Sequence, residues 1–247
     1  MSIILSIETS TKACSAAIHQ DGNLLSVSEL YNEKSSSGML TTLIKHVVKT
    51  ASLTLQEVDA IAVAKGPGSY TGLRIGVSTA KGLCFTLEKP LIAINTLEAM
   101  AYQLSAERHS AGRHSAVNYK LGDSPLSILL CPMLDARRME VYCAVFNADT
   151  IEVLEPTQAK IIDETSFSDL LENHKIIFYG DGAEKCRSTL EGNLNAVFLN
   201  QIIFPSAKSI GALANRAFEQ QQFESVADFE PYYLKEFVGT TSKKVPI

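Results

Sequence analysis

Two carboxylates occupy matching places in this chain of 247 residues. Glu8 closes an apolar run that starts at Ile3, and Asp135 follows the run from Leu126 to Leu134. In both places a polar turn and a second apolar run come next. A pair of acids facing each other across a cleft would hold Mg²⁺, a hard cation that takes oxygen ligands. A turn that cradles phosphate needs small, flexible residues, yet the turn after Asp135 is Ala136-Arg137-Arg138. Two guanidinium groups there either stand in for a cation or pair with acids at a lobe boundary. A site formed by these acids is therefore expected to be degenerate, with no cofactor.

Two glycine-containing turns come next. Gly66-Pro67-Gly68 permits close backbone approach, stiffens at the proline and precedes a helical pattern. Amides at a helix amino terminus can bind an anion, but no Lys-Ser/Thr follows a second glycine, so this is not a Walker loop. A plain strand-to-helix turn explains the same residues. Gly180-Asp181-Gly182-Ala183 also sits between a strand and a helix and needs no ligand either.

Other chemistries find no support. The histidines are His19, His46, His109, His114 and His174, and no two stand four apart, the spacing that would place two imidazoles on one helical face. His-Glu-x-x-His and Gly-x-Ser-x-Gly are absent. Cys14, Cys84, Cys131, Cys143 and Cys186 lack metal-ligand spacing and lie among apolar neighbours, as buried thiols in a reducing compartment do. A formal net charge of −5 argues against this chain gripping a polyanion such as tRNA by itself. The amino terminus lacks the basic start of a signal peptide, and no run approaches the roughly 20 apolar residues of a membrane span. A cytoplasmic location and no membrane are expected.

The elements that must position these residues are legible in outline. Three strands joined by short turns occupy residues 3–31, with Asp21-Gly22 as a hairpin signal. Met39, Leu40, Leu43, Ile44, Val47 and Val48 then recur at helical spacing. Thr54 to Glu57 carries a capping box. A buried strand from Asp59 to Ala64 leads into the Gly-Pro-Gly turn and a helix from Thr71 to about Leu87. A strand at 90–94 and a helix capped by Thr96 follow. The polar stretch from Glu107 to Ser124 reads as a linker or insertion. Strands restart at 126–134 and 139–146, then near 151–154 and at 175–179, with a helix around 164–173 and another capped by Ser206. The expected division is a first lobe at 1–105, a linker at 106–124 and a second lobe at 125–247. The whole is expected to be an α/β protein, a duplicated fold whose two lobes carry mixed sheets and packed helices.

Three segments carry a resemblance. Ile7-Glu8-Thr9-Ser10-Thr11 with Cys14-Ser15-Ala16-Ala17 resembles the first strand–turn–strand of the actin/Hsp70/sugar-kinase superfamily, which has a duplicated, ribonuclease H-like fold. The run from Lys65 to Gly76 resembles the signature loop and helix of the TsaB-type branch of the TsaD-like, or glycoprotease-like, family. Asp135 to Tyr142 is similar to that branch's second hairpin. The branch usually has His-Ser where Ser36-Ser37 stand here, and the stretch 107–124 is longer than its norm. The superfamily resemblance puts Glu8, Asp135, Arg137, Gly180 and Gly182 at its nucleotide cleft, expected to be degenerate here. The family resemblance implies a non-catalytic dimerisation subunit in the making of N6-threonylcarbamoyladenosine at tRNA position 37. It implies a TsaD-type catalytic subunit and a TsaE-type ATPase as partners, and contact with tRNA only through the complex. The alternative is an ATP-dependent transferase or kinase active on its own.

The expected partner surface is a pair of helices. The first offers Met39, Leu40, Leu43, Ile44 and Val47; the second offers Leu73 and the stripe Gly72, Gly76, Ala80, which lets another helix approach closely. Without its partner the same surface is expected to cover itself with a second copy of the chain.

Overall fold

The computed structural model describes residues 1–31, 36–110 and 126–235. The branched apolar run β1 (Ile3–Glu8) lies at the centre of a five-stranded sheet, order β3-β2-β1-β4-β5. The others are β2 (Ala13–Gln20), β3 (Asn23–Tyr31), β4 (Ala60–Gly66) and β5 (Leu91–Asn95). β1 pairs antiparallel with β2 and parallel with β4. A second sheet repeats this plan around β6 (Ser127–Asp135), with β7 (Glu140–Asn147), β8 (Val153–Ile161), β9 (His174–Tyr179) and β10 (Ala196–Phe198) in the order β10-β9-β6-β7-β8. Here too the central strand is antiparallel to the one after it and parallel to β9. Strand order and strand directions match, so the α/β fold is a duplicated ribonuclease H-like unit, and β1 and β6 are equivalent.

Both sheets bury both faces, which is why their inner strands read as unbroken apolar runs. On one side of the first sheet, Leu5, Ile7, Ile61 and Val63 pack against α1 (Ser36–Thr50) and α2 (Tyr70–Leu87). On the other, Ile4, Ala62 and Ile92 meet α6 (Ala207–Glu219). The second sheet is covered on one side by Phe167, Leu171 and Leu190, from near and within α4 (Ser168–Asn173) and α5 (Arg187–Leu190). Its other side receives Leu97, Met100, Ala101 and Leu104 of α3 (Thr96–Ser110). Ala99 of that helix packs with the first sheet's cluster, so α3 serves both sheets and shows no single apolar stripe.

Helix α6 follows the second sheet in the chain yet seats on the first. Ser206 caps it, accepting from the Lys208 amide at 3.1 Å, and the Ala207 amide donates to Ser15 Oγ at 2.9 Å. The seat is tight: a Cβ on Gly211 would lie 2.1 Å from His19 Nδ1. Residues 223–235 then run back along the first lobe, where Glu224 N donates to Leu91 O and Tyr232 N to Lys65 O. Among the described residues no helix is long and apolar enough to cross a membrane.

Several expectations need correction in detail. The α3 cap is Asn95, whose Oδ1 accepts from the amides of Leu97 (2.9 Å) and Glu98 (3.2 Å), while Thr96 Oγ1 is buried without a partner. That helix continues to Ser110, past the expected start of the linker; residues 111–124 of the expected linker lie outside the described residues, as do the side chains of Ser36 and Ser37. The third strand of the second sheet starts at Val153 and runs to Ile161, and β10 was not anticipated.

Candidate functional site

Glu8 is fully buried at the end of β1. Its Oε1 accepts from the Ser10 amide at 2.5 Å, and its Oε2 is buried with no partner. Burial pushes its pKa up to about 7, against the pull of the hydrogen bonds from Ser10. Near neutral pH this carboxyl is protonated in a large fraction of molecules, which makes it a poor ligand for a hard cation.

The turn that would wrap a phosphate is filled by the chain itself. Ser69 N donates to Ser10 O at 2.6 Å, and Thr9 Oγ1 donates to Gly72 O at 2.8 Å. Added Cβ atoms would lie 2.3 Å from Ser10 O at Gly68 and 2.0 Å from Thr9 O at Gly72. The glycines of this loop let it and the start of α2 press onto the β1–β2 turn. Ser69 Oγ accepts from the Gly72 amide at 3.3 Å, capping the helix from within. The strand-to-helix reading of Gly66-Pro67-Gly68 is the one this geometry favours.

The second lobe repeats the arrangement. Gly180, at φ +103°, would place a Cβ 2.3 Å from Met133 O, and Gly182 one 2.7 Å from Leu134 C. Between them Asp181 Oδ1 accepts from the Asp135 amide at 3.1 Å. Asp135 itself is half-exposed, ion-pairs with Lys185 and accepts from the Arg137 amide at 2.9 Å. Its partial burial works to raise its pKa, but Lys185 and the Arg137 amide outweigh that and hold it below the usual range. Asp135, Arg137, Gly180 and Gly182 thus form one cluster. Glu8 stays apart, its hydrogen bond confined to its own turn.

The helix-face expectation is corrected by burial. Leu40, Leu43, Ile44 and Val47 all lie in the first lobe's own core, and Met39 is half-buried. Gly72, Leu73, Gly76 and Ala80 are buried as well, and a Cβ on Gly76 would meet Thr9 Oγ1 at 2.3 Å. The small-residue stripe is spent on seating α2 against β1 and β4. What α1 and α2 present outward is different: Thr41, Ser78, Gly82 and Thr86, with Leu83 and Leu87 half-buried beside them, line a groove of about 630 Å³. Next to it on α2, Phe85 is 81% exposed. The signal available in the sequence was a phenylalanine and a glycine on the helix face opposite the core stripe.

Two sheets of one topology, with the connecting helices on their faces, define a duplicated α/β protein of the actin-like class. The chain belongs to the TsaD family, tRNA N6-adenosine threonylcarbamoyltransferase, whose model matches residues 31–239. It is 29% identical over 251 residues to the tRNA threonylcarbamoyladenosine biosynthesis protein TsaB of Haemophilus influenzae, covering 98% of this chain and 97% of that one. The protein of the same name from Escherichia coli is 28% identical over 246 residues, covering 98% of each. The structure of YeaZ from Pseudomonas aeruginosa superposes with a TM-score of 0.76 at 23% identity, covering 95% of this chain and all of that one, and shows the same fold.

Proposed function

We propose that this chain is a non-catalytic subunit in tRNA threonylcarbamoyladenosine biosynthesis, binding and supporting a TsaD-type catalytic subunit in the cytoplasm. A TsaE-type ATPase is the further partner, and tRNA is met through the complex. The observation that carries the reading is the near full-length similarity to the TsaB proteins. The filled β1–β2 turn and the buried, half-protonated Glu8 support a role without nucleotide chemistry. They also disfavour the kinase or transferase alternative, which Mg²⁺-dependent ATP turnover by the isolated chain would revive.

The groove between α1 and α2, together with exposed Phe85, is the surface assigned to the partner. Its lining is uncharged and sets small side chains such as Ser78, Gly82 and Thr86 beside Leu55, Leu83 and Leu87, a mixture that suits an apolar helix-on-helix contact. Gly82→Glu tests it. A Cβ there meets nothing within 4 Å, and replacing a helical glycine gains up to about 1 kcal/mol. The variant should be at least as stable as the parent, yet fail to co-elute with the TsaD-type subunit in size-exclusion chromatography. Unchanged co-elution would place the contact elsewhere.

A further inference from the structure

The tip of the β6–β7 hairpin borders the degenerate cleft, and its two guanidinium groups have a placement that neither the cleft nor the helix face explains. Arg137 and Arg138 follow one another in the left-handed region, at φ +70° and +51°. Residues with side chains adopt this conformation at a cost, and asparagine and glycine take it most easily. Both arginines are exposed, and neither guanidinium forms an ion pair or hydrogen bond with another described residue. The neighbouring charges are already matched. Asp135 is held by Lys185 and by the Arg137 amide, Glu140 by Lys235, and Asp181 accepts from the Asp135 amide with the charge of Lys12 nearby. The charge of Arg137 is felt by Asp135, which Lys185 already pairs. Two cations without an ion pair of their own among the described residues therefore project from a strained tip in a chain whose formal net charge is −5. The expectation that they pair with acids at the lobe boundary is not met.

A turn with only a connecting role would relax to Asn-Gly. Guanidinium groups suit phosphate, which they engage through paired N–H donors. We propose that the Arg137–Arg138 tip contacts backbone phosphates of the RNA bound by the assembled complex, supplying charge and no sequence recognition. This rests on the proposed function, because the chain alone is too acidic overall to hold a polyanion well.

The test uses the complex of this chain with its TsaD-type subunit, fluorescein-labelled tRNA, and anisotropy titrations from 50 to 300 mM KCl. The variant is Arg137→Asn with Arg138→Gly, which removes the charges and relaxes the backbone together. Its melting temperature should rise by about 2–4 °C and assembly with the partner should be unchanged. RNA affinity should fall roughly tenfold at the lowest salt, and the slope of log K against log salt should become shallower by about 1.5–2. Arg137→Lys with Arg138→Lys should keep most of the slope, since the charge is retained. Unchanged affinity and slope in the Asn-Gly variant would overturn the proposal. Loss of assembly with an unchanged salt slope would also overturn it, and would assign the arginines to an acidic protein surface. If the wild-type chain fails to assemble at all, the proposed function falls and takes this inference with it.

Discussion

Sealing Glu8 inside its own lobe has a consequence that stability measurements can read. Its pKa is about 7 in the folded protein, against an ordinary value of 4.5. Between those pH values the folded state keeps a proton that the unfolded chain has released, so the contribution of Glu8 to stability falls as pH rises. The gap is worth about 3 kcal/mol when complete. Gln is close in shape to the protonated acid and cannot titrate. Urea unfolding of wild type and Glu8→Gln at intervals from pH 4.5 to 8 should show the variant gaining relative to the parent, by about 3 kcal/mol over the range. His19 works in the opposite direction. Burial between the sheet and α6 pushes its pKa down to about 4, against the hydrogen bond its ring N–H donates to the Lys208 backbone carbonyl and with the Lys208 charge adding to it. Its contribution is lost as pH falls from about 6.5 through 4, so the two groups nearly cancel in the wild type near pH 5–6. Subtracting the wild-type curve isolates Glu8. A flat difference curve would refute the sealed-carboxyl reasoning. So would a wild-type protein that Mg²⁺-ATP stabilises and a Glu8→Gln variant that it does not, since a ligand raises stability only by binding the folded state.

Three packing predictions follow from the same geometry. Gly76→Leu should destabilise the isolated chain by about 3 kcal/mol or more, because the side chain would enter the space of Thr9; a well-folded variant in circular dichroism melts would put the stripe outside. Gly211→Ala should cost about 1–3 kcal/mol by pushing α6 off His19 and Ser6, measurable as a melting temperature lower by several degrees. Phe85→Asp, at an 81% exposed position, should leave stability within about 0.5 kcal/mol while weakening association with the TsaD-type subunit at least tenfold in calorimetry.

The sequence exposed most of the scaffold because the strands alternate or run apolar over lengths that suit only a sheet. The acids at the ends of β1 and β6 marked the two equivalent strands. The return of α6 to the first sheet could not be read, since nothing local in Ile210, Leu213 and Ala214 says which apolar face they cover. The short edge strand β10 and the lengthened β8 were hidden for a related reason. Exposed edge positions such as Val153 and Ile161 carry little pattern, and Pro156 disguises the run. At the candidate site the glycines mark points of close approach in the sequence itself, but whether Gly72 and Gly76 meet a partner or the β1–β2 turn depends on long-range packing. Both apolar rows of α1 serve its own lobe, since a helix wedged between a sheet and α2 needs both for its core. Arg137 and Arg138 were visible as residues, while their left-handed backbone and free guanidinium groups were not.

The central claim, that this chain supports threonylcarbamoyl transfer without contributing a reacting group, is tested most directly by reconstitution. The TsaD- and TsaE-type partners would be combined with tRNA, substrates and either wild-type chain or the Glu8→Gln/Asp135→Asn variant, and modified adenosine measured over time. The expected result is that omitting this chain abolishes product, and that the double variant restores it at the wild-type rate. A double variant that assembles normally yet yields no product would contradict the claim and return the chain to the enzymes.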